Sequence, residues 1–197
     1  MTNFYNSASY KNKVINLLIR NENFVKLVNP TPNKCEELDI VDVLIGGKWI
    51  INGKEYREQG HVFDYNFVND TIREEKTFVF VDTDIDSVRD NMFTDFNLYI
   101  CIFTDKDLVR ITDKTIPTAK EVKEMGCFAS TYANRIDALC DVVDKILNGT
   151  NQLNGLGKVQ PAVRGYATTY CPNSNYYGKC LKYKVTNYND TGDECES

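Results

Sequence analysis

Chemistry in this chain would have to come from a few places. The most pointed is Phe78-Val-Phe-Val-Asp82-Thr-Asp84-Ile-Asp86, an apolar run ending in carboxylates at alternate positions. Alternate residues of an extended strand share a face. Asp82, Asp84 and Asp86 could therefore converge on a divalent ion. The simpler reading is an acidic strand-to-loop exit in solvent, the usual fate of a charge run. His61, within Gln-Gly-His-Val-Phe, is the only histidine. That removes His-rich zinc sites and leaves any Ser/His/Asp or Cys/His apparatus dependent on one imidazole with no nucleophile near it in sequence. A structural imidazole is the plainer account. Gly155-Leu-Gly157-Lys158 lacks the arch of a phosphate loop, and no Ser or Thr follows the lysine. Tyr170, Tyr176 and Tyr177 stand among Arg164, Lys179, Lys182 and Lys184, a pairing of rings and cations used on single-stranded nucleic acid. Alternating lysines on the last strand read more simply as protection of an exposed strand from stray pairing.

Bulk properties narrow these options. The 197 residues are 42% hydrophobic and 26% charged, which suits one globular domain with a core of its own. The net charge of −5 means that attraction to phosphate is not a global property of the surface, so a nucleic-acid binder would need a local basic patch. The 21 asparagines look like an AT-rich coding bias. Cysteines stand at 35, 101, 127, 140, 171, 180 and 195, odd in number and without a C-x-x-C. With no basic, apolar leader at the start, a reducing cytoplasm and free thiols are expected. Cys101 and Cys140 fall inside apolar patterns and read as small buried hydrophobes. Cys171 and Cys180 flank Pro-Asn-Ser-Asn-Tyr-Tyr-Gly and are the pair that could meet across a hairpin, though nothing else signals oxidation. No stretch approaches the roughly 20 apolar residues of a membrane span.

The elements that would position these groups are legible in part. Val14, Leu17 and Leu18 recur at helical spacing from Lys11 to about Arg20, with Ser7 or Ser9 as cap. Glu22 to Val28 adds a short helix that Pro30 and Pro32 forbid from continuing. Between Cys35 and Gly60 an Asp-rich loop, Val41 to Ile45, Trp49 to Ile51 and the Asn52-Gly53 turn signal suggest a projecting or irregular loop. Phe78–Val81, Leu98–Phe103 and Leu181–Thr186 are strand candidates, with Gly157–Gly165 a further one and Tyr170 to Gly178 a connecting loop. From Thr131 to Asn148, Ile136, Leu139, Cys140, Val143, Ile146 and Leu147 follow helical periodicity, and Gly149 supplies the stop. The expected fold class is α+β. It comprises a single domain over residues 1–190 with N-terminal helices, a mixed or antiparallel β-sheet packed against one long amphipathic helix, and a C-terminal β-hairpin. A loop or insertion is expected around 35–67 and a flexible acidic tail over 191–197.

Two resemblances bear on function. The Phe78 to Asp86 run resembles the opening strand of haloacid-dehalogenase-like phosphatases, which implies a small Mg-dependent phosphohydrolase using Asp82 and Asp84. That reading requires a parallel sheet with a cleft at the end of the Phe78 strand. The second resemblance spans roughly residues 75 to 190. It is carried by Asp90-Asn-Met-Phe-Thr-Asp-Phe-Asn-Leu-Tyr-Ile-Cys-Ile-Phe-Thr104, Asn134-Arg-Ile-Asp-Ala-Leu-Cys-Asp-Val-Val-Asp-Lys-Ile-Leu-Asn-Gly149, Leu156-Gly-Lys-Val and Tyr176-Tyr-Gly-Lys-Cys-Leu-Lys-Tyr-Lys-Val-Thr-Asn-Tyr188. These phrases resemble the tail-terminator (tail-completion) and neck proteins of tailed bacteriophages.

The second resemblance implies a structural virion protein rather than an enzyme. Such a subunit forms a ring, usually a hexamer, at the head-proximal end of the tail tube, ends tube polymerisation and joins the tail to the connector. Implied partners are other copies of the chain, the tail tube protein, neck and connector proteins, with the sheath protein as a further candidate and DNA only as passing cargo. No cofactor, metal or membrane is expected, and the place is the tail or neck of a virion assembled in a bacterial cytoplasm. Ring subunits meet through two different surfaces. The expected contacts are the C-terminal hairpin and the loop before it: Asn148, Gly155, Lys158, Tyr170, Tyr176, Tyr177 and Tyr183. Asp82, Asp84 and Asp86 are the candidates to line a channel that repels phosphate.

Overall fold

A computed structural model describes residues 3–28, 39–65, 74–89, 93–111, 134–148 and 155–188. Cys35, Cys127, Cys195, the acidic tail and parts of the 35–67 stretch lie outside these residues.

Helix α1 (Asn3–Ile19) buries Tyr10, Val14, Ile15, Leu18 and Ile19 along one stripe. It begins well before Lys11, so Ser7 and Ser9 lie inside it and do not cap it. The extra turns are held by tertiary contact, since Ser7 Oγ sits 2.7 Å from Thr83 Oγ1 on the sheet. Such packing contributes more than the weak intrinsic propensity of Asn and Ser costs. Asn21 Oδ1 accepts the Phe24 N–H at 3.0 Å and opens α2 (Glu22–Val28). Asp39 caps α3 (Ile40–Ile45), which stops at Gly46. Among the described residues the following strands β1 (Gly47–Ile51) and β2 (Lys54–Glu58) pair only with each other, joined by Asn52 (φ 50°) and Gly53 (φ 76°) in the left-handed conformations that a tight hairpin needs. The projecting segment expected here is thus a helix and a hairpin.

The main sheet runs β3 (Val62–Phe63), β4 (Thr77–Arg89), β5 (Phe93–Asp105), β8 (Tyr176–Tyr188) and β6 (Lys158–Pro161), with β7 (Ala167–Tyr170) also on β8. Among the described strands only β3–β4 is parallel. A short 3-10 turn (Lys106–Leu108) follows β5. Helix α4 (Arg135–Leu147), capped by Asn134 Oδ1 on the Ile136 N–H at 2.8 Å, packs on α2 and on β5 and β8. Its buried Ile136, Leu139, Val142, Val143 and Leu147 each contribute about 2 kcal/mol of apolar transfer. The fold is α+β, with the expected long amphipathic helix, mixed sheet and C-terminal hairpin β7–β8.

Strand period explains the two cores. Val79 and Val81 join Leu98, Ile100, Ile102, Leu181, Tyr183 and Val185 beneath the helices. Phe78 and Phe80 turn to the other face, where they meet Phe63, Cys101, Phe103 and Tyr176. A run buried on both faces reads as continuous apolar sequence, as Phe78–Val81 does. Beyond Val81 the strand continues to Arg89, with a bulge between Ile85 and Ser87. Asp82 to Asp86 are therefore strand, and the expected loop exit is corrected. Tyr176, Tyr177 and Gly178 likewise belong to β8 and not to a connecting loop.

Candidate functional site

Asp82 and Asp84 share the face opposite the helices, each two strands from a lysine. The rows are Asp82, Tyr99, Lys182 and Asp84, Asn97, Lys184. Lys184 Nζ lies 3.1 Å from Asp86 Oδ2, and Asn97 Nδ2 donates to Asp86 Oδ1 at 3.4 Å. Lys182 Nζ stands 5.3 Å from the centre of the Tyr99 ring. Asp82 accepts its neighbour's Thr83 N–H at 2.9 Å and lies 3.7 Å from Lys11 Nζ. This surface carries both signs of charge in register, and exposed pairs of this kind contribute about 0–1 kcal/mol each. An acidic strip of one sign, as the channel reading wanted, is not what the described side chains make. Among the described residues no group of three His, Cys, Asp or Glu could hold a metal ion. The carboxylates also sit within an antiparallel ribbon and not at a strand's end facing a cleft, as the phosphohydrolase reading requires.

The candidate interface residues divide. Asn148 is exposed at the end of α4, its N–H on Asp144 O at 2.7 Å. Gly155 (φ 66°) and Lys158 are exposed. Tyr170 and Tyr177 are half-buried, Tyr170 with its ring 5.8 Å from that of Phe103. Tyr176 and Tyr183 are buried, at 1% and 0% exposure, and are removed from any contact surface. Tyr176 donates its hydroxyl to Glu74 O at 2.8 Å, which satisfies the one polar atom of an aromatic cluster. Burial first, then Asp105 and Glu74, push its phenol up to about 12. His61 is a satisfied core residue, buried with Nδ1 2.8 Å from Thr77 O.

Three features went unread in the sequence. Cys101 and Cys180 face each other on β5 and β8 with Cα atoms 4.0 Å apart and form a disulfide. Lys182 turns both its N–H and its C=O toward the β6/β7 side. Cys180, two residues earlier, does the same, so the cysteines occupy a non-hydrogen-bonded pair, where side chains stand closest. The free-thiol reading fails for this pair, and Cys171, exposed and free, does not bond Cys180. Cys140 keeps its thiol, and burial raises it to about 12.

The second feature is an excursion in the sheet's edge. β6 and β7 lie end to end along β8, and residues 162–166 leave the line between them. Both ends return to one residue: Ala162 N–H donates to Lys182 O at 2.9 Å and Lys182 N–H to Tyr166 O at 2.7 Å. Tyr166 donates its hydroxyl to Asp144 on α4, and Tyr183 donates to the same oxygen at 3.2 Å. Burial and the Asp144 hydrogen bond raise the Tyr166 phenol, while burial and Tyr166 raise that of Tyr183. Gly165 takes φ 65°, and Val163 at the tip is 101% exposed. Pro161, without an N–H, and Gly165 were the signals available for a break in the strand.

Third, Arg135 is fully buried, and among the described residues it has no ion-pair partner. Its Nε donates to Leu108 O at 2.9 Å and Nη1 to Leu27 O at 3.0 Å, and burial lowers its pKa to about 10. Elsewhere, a groove of about 640 Å³ opens between α1, the α3–β1 turn and β3. No described helix is long and apolar enough to cross a membrane.

A protein-family profile described as YomW matches residues 21–185, which include α2 to α4 and almost all of the sheet. No curated protein and no solved structure matches the chain.

Proposed function

We propose, from the premise that the chain belongs to the YomW family, whose name is phage-derived, that it is a structural protein of a phage particle and works by assembly, not catalysis. The finer reading is a tail terminator or adjacent neck protein: a ring, hexameric by the resemblance above, that ends the tail tube and joins it to the connector. One observation carries it. The two edges of the main sheet are unlike, with the two-residue strand β3 and a groove on one side and an exposed excursion on the other. Unlike faces on one subunit are what head-to-tail association uses, and rotation then closes a ring. Its partners would be other copies, the tube protein and the neck or connector proteins, with DNA as passing cargo.

The phosphohydrolase alternative gains no support from the mid-strand positions of Asp82 and Asp84. Deleting the gene from the phage and imaging the products tests the proposal. Overlong tubes and unjoined heads are expected. Particles of normal form that lack the chain would sink the reading.

A further inference from the structure

We infer that the excursion at residues 163–165 is a knob that seats in the α1/β3 groove of a second copy of this chain. The inference rests on, and deepens, the self-assembly reading above. The knob is apolar at its tip, with Val163 fully exposed and Arg164 beside it. A lone exposed valine is ordinary on a loose loop. Here both ends of the excursion are bonded to Lys182 and Tyr166 is tied to Asp144, so the tip is displayed in a fixed conformation. Little ordering cost then opposes binding.

The groove matches it in chemistry. Ile45 and Tyr65, 48% and 54% exposed, line it over the buried Ile15, Val62 and Phe63, with Asn12, Asn16 and Gln59 beside them, and Asp64, whose backbone carbonyl accepts from Lys11 Nζ at 2.6 Å, stands on the same wall. Among the described residues neither Arg164 nor Asp64 has an ion-pair partner within its own chain. An apolar tip flanked by a guanidinium therefore meets a trough that exposes Ile45 and Tyr65 and is flanked by a carboxylate, in a pairing that Arg makes with directional hydrogen bonds. Topology sets the two features at opposite ends of the strand order, the groove beside β3 and the knob on β6/β7. Each copy can then give a knob to one neighbour and a groove to the other. That is a heterologous contact, the kind that builds rings.

Charge exchange on the full-length chain tests the contact, by sedimentation over a concentration series, alone and on isolated tail tubes. The variants are Arg164→Glu, Asp64→Arg and the two combined, all at exposed sites where folding is not at stake. The wild type is expected to self-associate, each single variant to do so about tenfold more weakly, and the double variant to regain most of the loss. Wild-type association that the single variants leave unchanged, or that the double variant fails to restore, overturns the knob and groove while self-assembly stands. A wild type that stays monomeric in both settings overturns the contact and the ring together.

Discussion

Gly46 and Gly60 cross at the neck of the β1–β2 hairpin with no room for a side chain on either. A Cβ on Gly46 would stand 2.6 Å from the Gly60 nitrogen, and one on Gly60 would stand 2.5 Å from the Ile45 carbonyl oxygen. The next residue is fixed too, because His61 N–H donates to Leu44 O at 2.7 Å. The β1–β2 hairpin is thus held at its root by backbone contact.

Gly60→Ala should therefore cost more than conformation alone explains. Gly60 has φ 82° and Gly53, at the hairpin tip, has φ 76°, but nothing stands within 4 Å of a Cβ at Gly53. Gly53→Ala should lose about 1 kcal/mol from the left-handed backbone alone. Gly60→Ala should lose about 2–4 kcal/mol, because the clash is with backbone that cannot turn aside. Urea denaturation of both variants decides it, and equal losses would mean that the neck relaxes.

What could be read beforehand follows from where each signal lives. Helix α4 was legible because its stripe repeats for several turns and ends at a stop residue. β4 was half legible: Phe78–Val81 announces itself by composition, but Asp82–Asp86 alternates carboxylates outward and reads as loop until Lys182 and Lys184 are seen opposite. Tyr176 reads as an aromatic of a connecting loop among lysines, and only the pairing of β8 with β5, which sets it against Phe78 and Phe103, shows it to be core. The Cys101–Cys180 bond was invisible because it depends on strand pairing between residues 79 apart in sequence. Pairings that distant are tertiary facts, and spacing carries no trace of them.

Arg135 should be intolerant of Lys. The buried guanidinium reaches two carbonyls from different elements, Leu27 at the end of α2 and Leu108 in the 3-10 turn. An ammonium is a compact charge without the fork, so Arg135→Lys should lose at least one bond and cost about 2 kcal/mol. Arg135→Ala leaves both carbonyls unpaired in the interior and should cost about 3–4 kcal/mol. Calorimetry of the two variants gives the order, and a smaller loss in Ala than in Lys would show that burying the charge outweighs its bonds.

Reduction should loosen the sheet without dissolving it. The bond closes a loop of 79 residues, which in a chain-entropy account stabilises the fold by about 4 kcal/mol at most. The β5–β8 ladder runs well past the cysteines on both sides, so the reduced protein should still fold. Urea midpoints with and without a dithiol reductant should differ, and Cys180→Ala should remove that difference. A midpoint indifferent to reductant would mean that the pair is not closed in solution.

Alkaline pH should unfold the protein earlier than its carboxylates or lysines would suggest. The thiol of Cys140 is raised from 9.0 to about 12 and the phenol of Tyr176 from 10.0 to about 12, with Tyr166 and Tyr183 raised as well. Each of these groups holds its proton in the folded chain at a pH where the unfolded chain has released it. Their contribution is therefore complete below about pH 9 and is lost as pH rises toward 12. Arg135 works the other way: its folded pKa of about 10 lies below the ordinary 12.5, so its burial becomes less costly above pH 10. Three tyrosines and a thiol against one arginine leave a net decline. Tm should be flat from about pH 7 to about pH 9 and then fall. Tyr183→Phe should lower Tm at neutral pH, because it removes one of the two phenols that donate to Asp144, and should flatten the alkaline decline. An alkaline decline that Tyr183→Phe leaves unchanged would show that the Tyr166–Asp144–Tyr183 cluster does not carry it.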